Sequence, residues 1–136
     1  AAAIGGASGH AGLFSTASDV ARFCQMILNY GELDGVRILS PLTVLLMTQN
    51  QVPYRIDVKR GYGWYISSTL RGDIFPLGSF GHTGFTGTSI WIDPVSDSFS
   101  IVLTNRIHPN RDNTTVNVIR SKFHSSLAAA IVDLFN

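Results

Sequence analysis

A single cysteine, Cys24, stands in a chain of 136 residues, so no internal disulfide framework holds this protein together, and the compartment is left open. Charge is scarce as well: 14% of residues are charged, and ten Lys and Arg against nine Asp and Glu leave a net charge of +1. Nucleic-acid binding needs a concentrated basic face. The basic stretches "VKRGYGW" and "NRIHPNR" are short and isolated, so nucleic acid is excluded as an expected partner. No apolar run approaches the roughly 20 residues a membrane helix needs, so no membrane segment is expected. The four histidines, His10, His82, His108 and His124, show no metal-ligand spacing and no pair at i, i+4 on one helix. No metal and no other cofactor is expected. An initiator Met and a signal peptide are missing too. The opening "AAAIGGASGHAGLF" reads as the middle of a longer chain, and the expectation is a single partial domain over residues 1–136.

What remains is apolar enough to fold. Hydrophobic residues make up 45% of the chain, and a domain of this length buries roughly two-thirds of its surface. Residues 1–15 are small and glycine-rich and read as a loop. Thr16, with Asp19 three residues on, has the spacing of a capping box. Val20, Phe23, Cys24, Ile27 and Leu28 then form one helical face, on which Cys24 is expected to be a buried, inert thiol. Gly31 is a plausible stop. Ser40-Pro41 opens a second helix as N-cap and first helical residue, with Leu42, Leu45 and Leu46 as its apolar side.

The next elements are strands. Tyr62 to Ser68 alternates and is rich in aromatics, with loops on either side. In "TSIWIDP", Thr88, Ile90 and Ile92 share one face, and Ser89 and Trp91 the other. Phe99, Ile101 and Leu103 alternate after the turn "DPVSD", which predicts an antiparallel hairpin. A last helix is expected from Thr115 almost to the end, packing along Val116, Ile119, Phe123, Leu127, Ile131 and Leu134. His108 and His124 fall off the apolar positions and are expected to be solvated. Helices set apart from an antiparallel sheet make an α+β architecture. Asn113-Thr114-Thr115 fits a glycosylation sequon, which nothing else in the chain requires.

One stretch does not fit this simple pattern. "GHTGFTGTSIWIDP" starts a strand with Gly81, Gly84 and Gly87, although glycine weakens a strand. These glycines either mark a bend where the chain enters the sheet or let a ligand lie against the backbone. In the second case His82 and Thr83 stand beside a sheet edge that can pair with an extended substrate. A backbone N–H just beyond Gly84 can then donate to a developing oxyanion.

The motif His82-Thr83-Gly84-Phe85-Thr86-Gly87, with "GLFSTASDVARF" about 70 residues earlier, resembles the C-terminal part of the β-lactamase and penicillin-binding family, in its class C-like branch. That branch holds β-lactamases, DD-peptidases, D-amino-acid peptidases and esterases. The resemblance implies a β-lactamase/transpeptidase-like fold in which Thr83, Gly84 and Thr86 contact substrate. It also implies that His82 takes part in catalysis and that the Phe85 N–H is an oxyanion donor. His82 stands where many relatives carry Lys. An ordinary histidine, with a pKa of about 6.5, is mostly neutral at pH 7, which changes the electrostatics there. Histidine at this place is common among the family's peptidases and esterases, so the resemblance leans away from a dedicated β-lactamase and towards a peptidase or esterase. The family's S-x-x-K nucleophile motif is absent, since the nearest match, Ser68 to Arg71, ends in a residue too basic to accept a proton. Its Y-x-N motif is absent as well; Tyr65-Ile-Ser67 has a similar shape in another place. The resemblance therefore implies a serine hydrolase working through an acyl-enzyme on an amide, lactam or ester, present here without its nucleophile. A non-catalytic module that binds peptide along the same strand is the alternative. The expected partners are a small acyl or peptide substrate and the missing N-terminal part or a second copy. The resemblance points to the periplasm or the cell exterior, with the cytoplasm left open.

Overall fold

A computed structural model describes residues 5–54, 56–76 and 78–132. Helix α1 spans Ala17–Leu28. The Thr16 side chain accepts from the Asp19 N–H, so Thr16 is the N-cap its spacing suggested, but the Asp19 carboxylate returns to the Thr16 hydroxyl where a capping box would use the Thr16 N–H. The chain leaves α1 through Gly31, whose N–H donates to the Met26 carbonyl at 2.8 Å. Two short strands follow, β1 (Glu32–Leu33) and β2 (Val36–Arg37). Helix α2 spans Pro41–Thr48 with Ser40 as its N-cap. Its apolar side departs from expectation: Val44 is the buried residue, while Leu42, Leu45 and Leu46 are exposed.

The remaining strands form one antiparallel sheet in the order β3 (Tyr65–Ile66), β4 (Phe80–Thr83), β5 (Ser89–Asp93) and β6 (Ser98–Val102). Strand β3 is much shorter than the alternation from Tyr62 to Ser68 suggests. Gly63 and Ser67 both take positive φ, which breaks the extended run on either side. The predicted hairpin is present as β5 and β6, paired from Ser89↔Val102 to Asp93↔Ser98. Asp93 organises its turn by accepting from the Val95 and Ser96 N–H groups, the local bonding that makes Asp a turn residue. Leu103 lies past the end of β6 and is exposed.

The sheet is covered on both sides. Phe80, Ile92 and Ile66 pack against Cys24, Met26 and Ile27 of α1 together with Trp64 and Val44. Trp91 faces the other way and packs with Phe75 and Ala128. Ala128 belongs to helix α3, Val116–Ala129. The architecture is α+β, with helices flanking an antiparallel sheet, as expected.

Helix α3 corrects two expectations. It turns Val116, Arg120, His124 and Ala128 inward, a four-residue repeat of mixed polarity. Ile119 and Phe123 are 51% and 44% exposed. Leu127 and Ile131 do pack on the Trp91 cluster, and Leu134 lies outside the described residues. His124, expected to be solvated, is fully buried. The sheet face beneath α3 offers carbonyls and serine hydroxyls, and only polar side chains can satisfy such groups away from water. Among the described residues, no helix is long and apolar enough to cross a membrane.

Candidate functional site

The glycine-rich motif lies at the end of β4 and in the turn to β5. Strand β4 pairs along its whole length with β5, from Phe80↔Ile92 to Thr83↔Ser89. On its other side β3 covers only Phe80 and Gly81. The edge is therefore closed at the start of β4 and open at His82 and Thr83. The Gly84 N–H donates to the Thr88 carbonyl at 2.7 Å. Antiparallel alternation then directs the His82 backbone groups towards β5 and those of Thr83 towards the open edge.

The motif's glycines answer to their own chain. A Cβ on Gly81 would overlap the Trp91 ring and the Ile90 carbonyl; this residue is glycine because the indole crosses the strand there. Gly87 takes φ of +122° against Thr104, a conformation that L side chains rarely adopt. Of the two readings open from sequence, bend and close packing account for both positions.

The turn over residues 84–88 is fastened by its carbonyls. The buried guanidinium of Arg120 donates from Nε to the Gly87 carbonyl at 3.0 Å. Its Nη2 donates to the Thr88 carbonyl at 2.7 Å and to the Gly84 carbonyl, and Nη1 donates to Asn117 Oδ1 at 3.0 Å. Arg106 donates from Nε to the Phe85 carbonyl at 2.7 Å and from its backbone N–H to the Thr86 carbonyl at 2.9 Å. The Thr104 hydroxyl donates to the Gly87 carbonyl at 2.8 Å. Every carbonyl from Gly84 to Thr88 thus has a donor. The Phe85 N–H, by contrast, has no hydrogen-bond acceptor among the described residues. Burial, and then the neighbouring Arg106, push the Arg120 pKa below the usual arginine range. Arg120 escaped sequence reasoning because it lies off the apolar stripe of α3; its only signal is the four-residue spacing Val116, Arg120, His124, Ala128.

Phe85 is exposed, with the Arg106 guanidinium 4.5 Å above its ring. A polar recess of about 280 Å³ opens beside it, lined in part by Thr83, Arg106, Asn117 and Arg120. A more apolar hollow of about 400 Å³ lies on the other side of the motif, between His82, Thr83, Ile90, Ile101 and Leu13. Thr83 and Gly84 line both. The Thr86 side chain is exposed at the tip of the turn. The structure therefore brings His82, Thr83, Gly84 and Phe85 together, with Thr86 at the rim.

The His82 ring lies over the open edge. One face stacks on Tyr65, with centroids 5.0 Å apart. Arg60 Nη1 lies 3.3 Å from Nε2, and Nδ1 lies 2.9 Å from the Thr83 carbonyl. Because arginine only donates, Nε2 accepts and the proton sits on Nδ1, donating to Thr83. Behind the turn, His124 is held between the hydroxyls of Ser100 (2.7 Å from Nδ1) and Ser89 (3.1 Å from Nε2). Desolvation, and then the charge of Arg120, push its pKa down to about 4. Cys24 is buried, and desolvation pushes its thiol up to about 12, so it is the inert core residue expected. His10 and His108 are exposed, and no group of three or more His, Cys, Asp or Glu that could hold a metal occurs among the described residues.

The family model described as "Beta-lactamase" matches residues 1–122. The chain belongs to this family, as its motifs suggested. It is 36% identical over 119 residues to a protein of Salmonella agona (strain SL483) named "Putative D-alanyl-D-alanine carboxypeptidase", covering 84% of this chain and 27% of that protein. A protein of the same name from Escherichia coli O157:H7 is 36% identical over 110 residues, covering 77% of this chain and 25% of the relative. The chain thus spans about a quarter of the length of these relatives. A solved penicillin-binding protein homologue from Caulobacter crescentus superposes with a TM-score of 0.61 at 20% identity, over 84% of this chain and 32% of that one, which supports the fold.

Proposed function

We propose that the end of β4 and the turn over residues 84–88 form one wall of an acyl-transfer site in a serine hydrolase. An extended amide, lactam or ester substrate lies along the open edge at His82 and Thr83, and its carbonyl oxygen meets the Phe85 N–H. One observation carries this reading. Every carbonyl of the turn is held by Arg106, Arg120, Thr104 or a neighbouring backbone N–H, while the Phe85 N–H has no acceptor among the described residues. Such an arrangement presents a donor, and no competing acceptor, to developing negative charge. It is also preorganised, since two arginines fix the backbone before any substrate arrives.

Each named residue has a part. The Thr83 hydroxyl and backbone position the substrate, and Gly84 and Thr86 shape the path to the turn. His82 holds the proton on Nδ1 and keeps Nε2 as an acceptor, so it can take a proton from the reacting centre once Arg60 gives way. In this reading the 136 residues are part of one larger domain, and the attacking serine belongs to the rest of it. The serine would form an ester with the acyl group, expel the amine or alcohol, and be released by water. The names of the carboxypeptidase relatives favour a peptide substrate.

The test uses the full-length protein encoded by the gene. Incubation with an acyl-D-alanyl-D-alanine peptide, a penicillin and a simple ester should give turnover of at least one. Intact-mass analysis should then show a single acyl adduct on a serine. His82→Ala should slow that turnover about 100-fold or more while leaving the thermal unfolding curve in place. Absence of turnover and adduct with all three, together with retained peptide binding, would overturn the enzyme in favour of a binding module.

A further inference from the structure

His82 is exposed and stands where β4 has lost its neighbour. In the β3–β4 register Tyr65 pairs with Gly81, so the place opposite His82 falls to Trp64. Trp64 has left the ladder: it follows Gly63, whose φ is +83°, and its side chain enters the cluster against α1. Tyr65 is therefore the last residue of β3 beside the open edge. Its ring stacks on the His82 imidazole, with centroids 5.0 Å apart and planes 29° apart.

The two rings differ in how firmly they are held. The Tyr65 backbone lies between β4 and the bridge to Arg60, and the next residue, Ile66, donates its N–H to the Lys59 carbonyl at 3.1 Å. The half-buried Tyr65 side chain packs against the cluster of Phe75, Trp91 and Ala128, in which the Trp91 indole is locked by its bond to Ser79 Oγ at 2.9 Å. The Arg60 guanidinium lies over the same ring, with Cζ 3.4 Å from the centroid. His82 has only two bonds at its edge, from Nδ1 to the Thr83 carbonyl at 2.9 Å and from Arg60 to Nε2 at 3.3 Å. The second must open before Nε2 can take a proton. A ring left with one hydrogen bond swings about it, and exposed side chains change rotamer within picoseconds to nanoseconds. Contact with a fixed aromatic face restrains that swing. A displacement of about 1 Å in a reacting group costs on the order of 100-fold in rate, so the restraint bears on the chemistry.

We propose that Tyr65 is a positioning residue for His82: its ring holds the imidazole over the open edge of β4 while Nε2 takes the proton from the reacting centre. The inference rests on the acyl-transfer reading above and adds to it a residue outside the glycine-rich motif. The contact is made by the face of the ring, so phenylalanine suffices at this position and an aliphatic side chain does not. Tyr65 also ties the site to the polar face of the sheet, because the Trp91 cluster on which it rests lies beneath α3.

The experiment compares the full-length protein with Tyr65→Phe and Tyr65→Leu, each in the parent and in the His82→Ala background. Two quantities are read: turnover of whichever of the peptide, penicillin and ester the parent hydrolyses, and the His82 ring-proton shifts by NMR of histidine-labelled protein, assigned by their loss in His82→Ala. In the parent the ring protons should lie upfield, shielded by the Tyr65 face. Tyr65→Phe should keep that shift and hold kcat within about threefold. Tyr65→Leu should lose the shift and lower kcat by about 10–100-fold, with KM unchanged within about twofold and the melting curve in place. In the His82→Ala background Tyr65→Leu should change turnover by less than about twofold, since a positioning residue has nothing left to position. Should Tyr65→Leu not fold, Tyr65→Val, whose β-branched side chain suits a strand, takes its place. Parent-like kcat in Tyr65→Leu would overturn the proposal, as would an equal loss in both backgrounds or a loss in Tyr65→Phe as large as in Tyr65→Leu. If the parent hydrolyses none of the three compounds, the acyl-transfer reading falls, and the shifts alone decide the positioning. Retention in Tyr65→Phe with loss in Tyr65→Leu would sustain it, and the same shifts in all three proteins would overturn it.

Discussion

The two faces of the four-stranded sheet are built from different chemistry. Towards α1, the buried contacts are almost wholly apolar: Phe80, Ile92 and Ile66 against Cys24, Met26, Ile27 and Trp64. Towards α3, Trp91 and Phe75 share the interior with Ser79, Ser89, Ser100, Arg120 and His124, all buried. Each of these polar groups has a partner. The Trp91 indole N–H donates to Ser79 Oγ at 2.9 Å, and Ser79 donates onward to the Pro76 carbonyl at 2.8 Å. The α1 face supplies bulk, non-directional burial. The α3 face fixes positions, because hydrogen bonds in a low-dielectric interior are directional and costly to break. The turn proposed to meet substrate hangs from the α3 face.

If this division holds, substitutions on the polar face should cost more than conservative ones on the apolar face. The largest effect is expected for Arg120→Leu. It removes three charge-assisted bonds to turn carbonyls, each of which keeps one neutral donor, and should destabilise by about 3 kcal/mol in urea unfolding. A loss below about 1 kcal/mol would break the contrast.

The next effect is a pH dependence. His124 is neutral in the folded protein, with its pKa depressed to about 4, against about 6.5 in an unfolded chain. The unfolded state therefore binds the extra proton between those values. The stabilisation is complete above about pH 6.5 and is lost as pH falls towards 4, by about 2 kcal/mol between pH 7 and pH 5. His124→Gln should flatten the stability profile in that window, and an unchanged slope would remove His124 as its cause.

On the apolar face, Ile92→Val should cost only about 1 kcal/mol, because one buried methylene is lost and neighbouring side chains can close on it. The smallest effect concerns Cys24. With its thiol buried and pushed up to about 12, it should resist iodoacetamide at pH 8 until the protein is unfolded, as thiolate is the reactive form. Labelling of native protein at the rate of a free thiol would show that the α1 face opens.

The same contrast explains how much was legible in the sequence. Apolar alternation marks Ile90, Ile92, Phe99 and Ile101, and helical spacing marks Cys24 and Ile27; these are the α1-side contacts, and the architecture followed from them. Local chemistry marked Thr16, Ser40 and the turn at Asp93, because their partners lie within three residues. The α3 face was read only in part: Ser89, Trp91, Val116, Leu127 and Ile131 lie where expected, but Ile119 and Phe123 are exposed, His124 was expected in solvent and Arg120 was not singled out. A buried arginine and a buried histidine look like solvent-facing residues until their partners, at positions 84–89 and 100, are known, and those lie more than 20 residues away along the chain. The outward Leu42, Leu45 and Leu46 erred the other way, since apolar spacing says which residues share a side and not whether anything covers it. Within the site, the motif residues were found together in the sequence, while Arg60, Arg106 and Arg120 were found only through the fold.

The central claim is that the turn held by Arg106 and Arg120 presents the Phe85 N–H to an acyl oxygen. A side-chain substitution cannot test a backbone donor, but replacing the amide before residue 85 by an ester removes that N–H and leaves the side chain in place. Introduced into the full-length protein by semisynthesis, the change should lower kcat by about 100-fold or more with the melting temperature nearly unchanged. Turnover equal to that of the amide-containing protein would contradict the account.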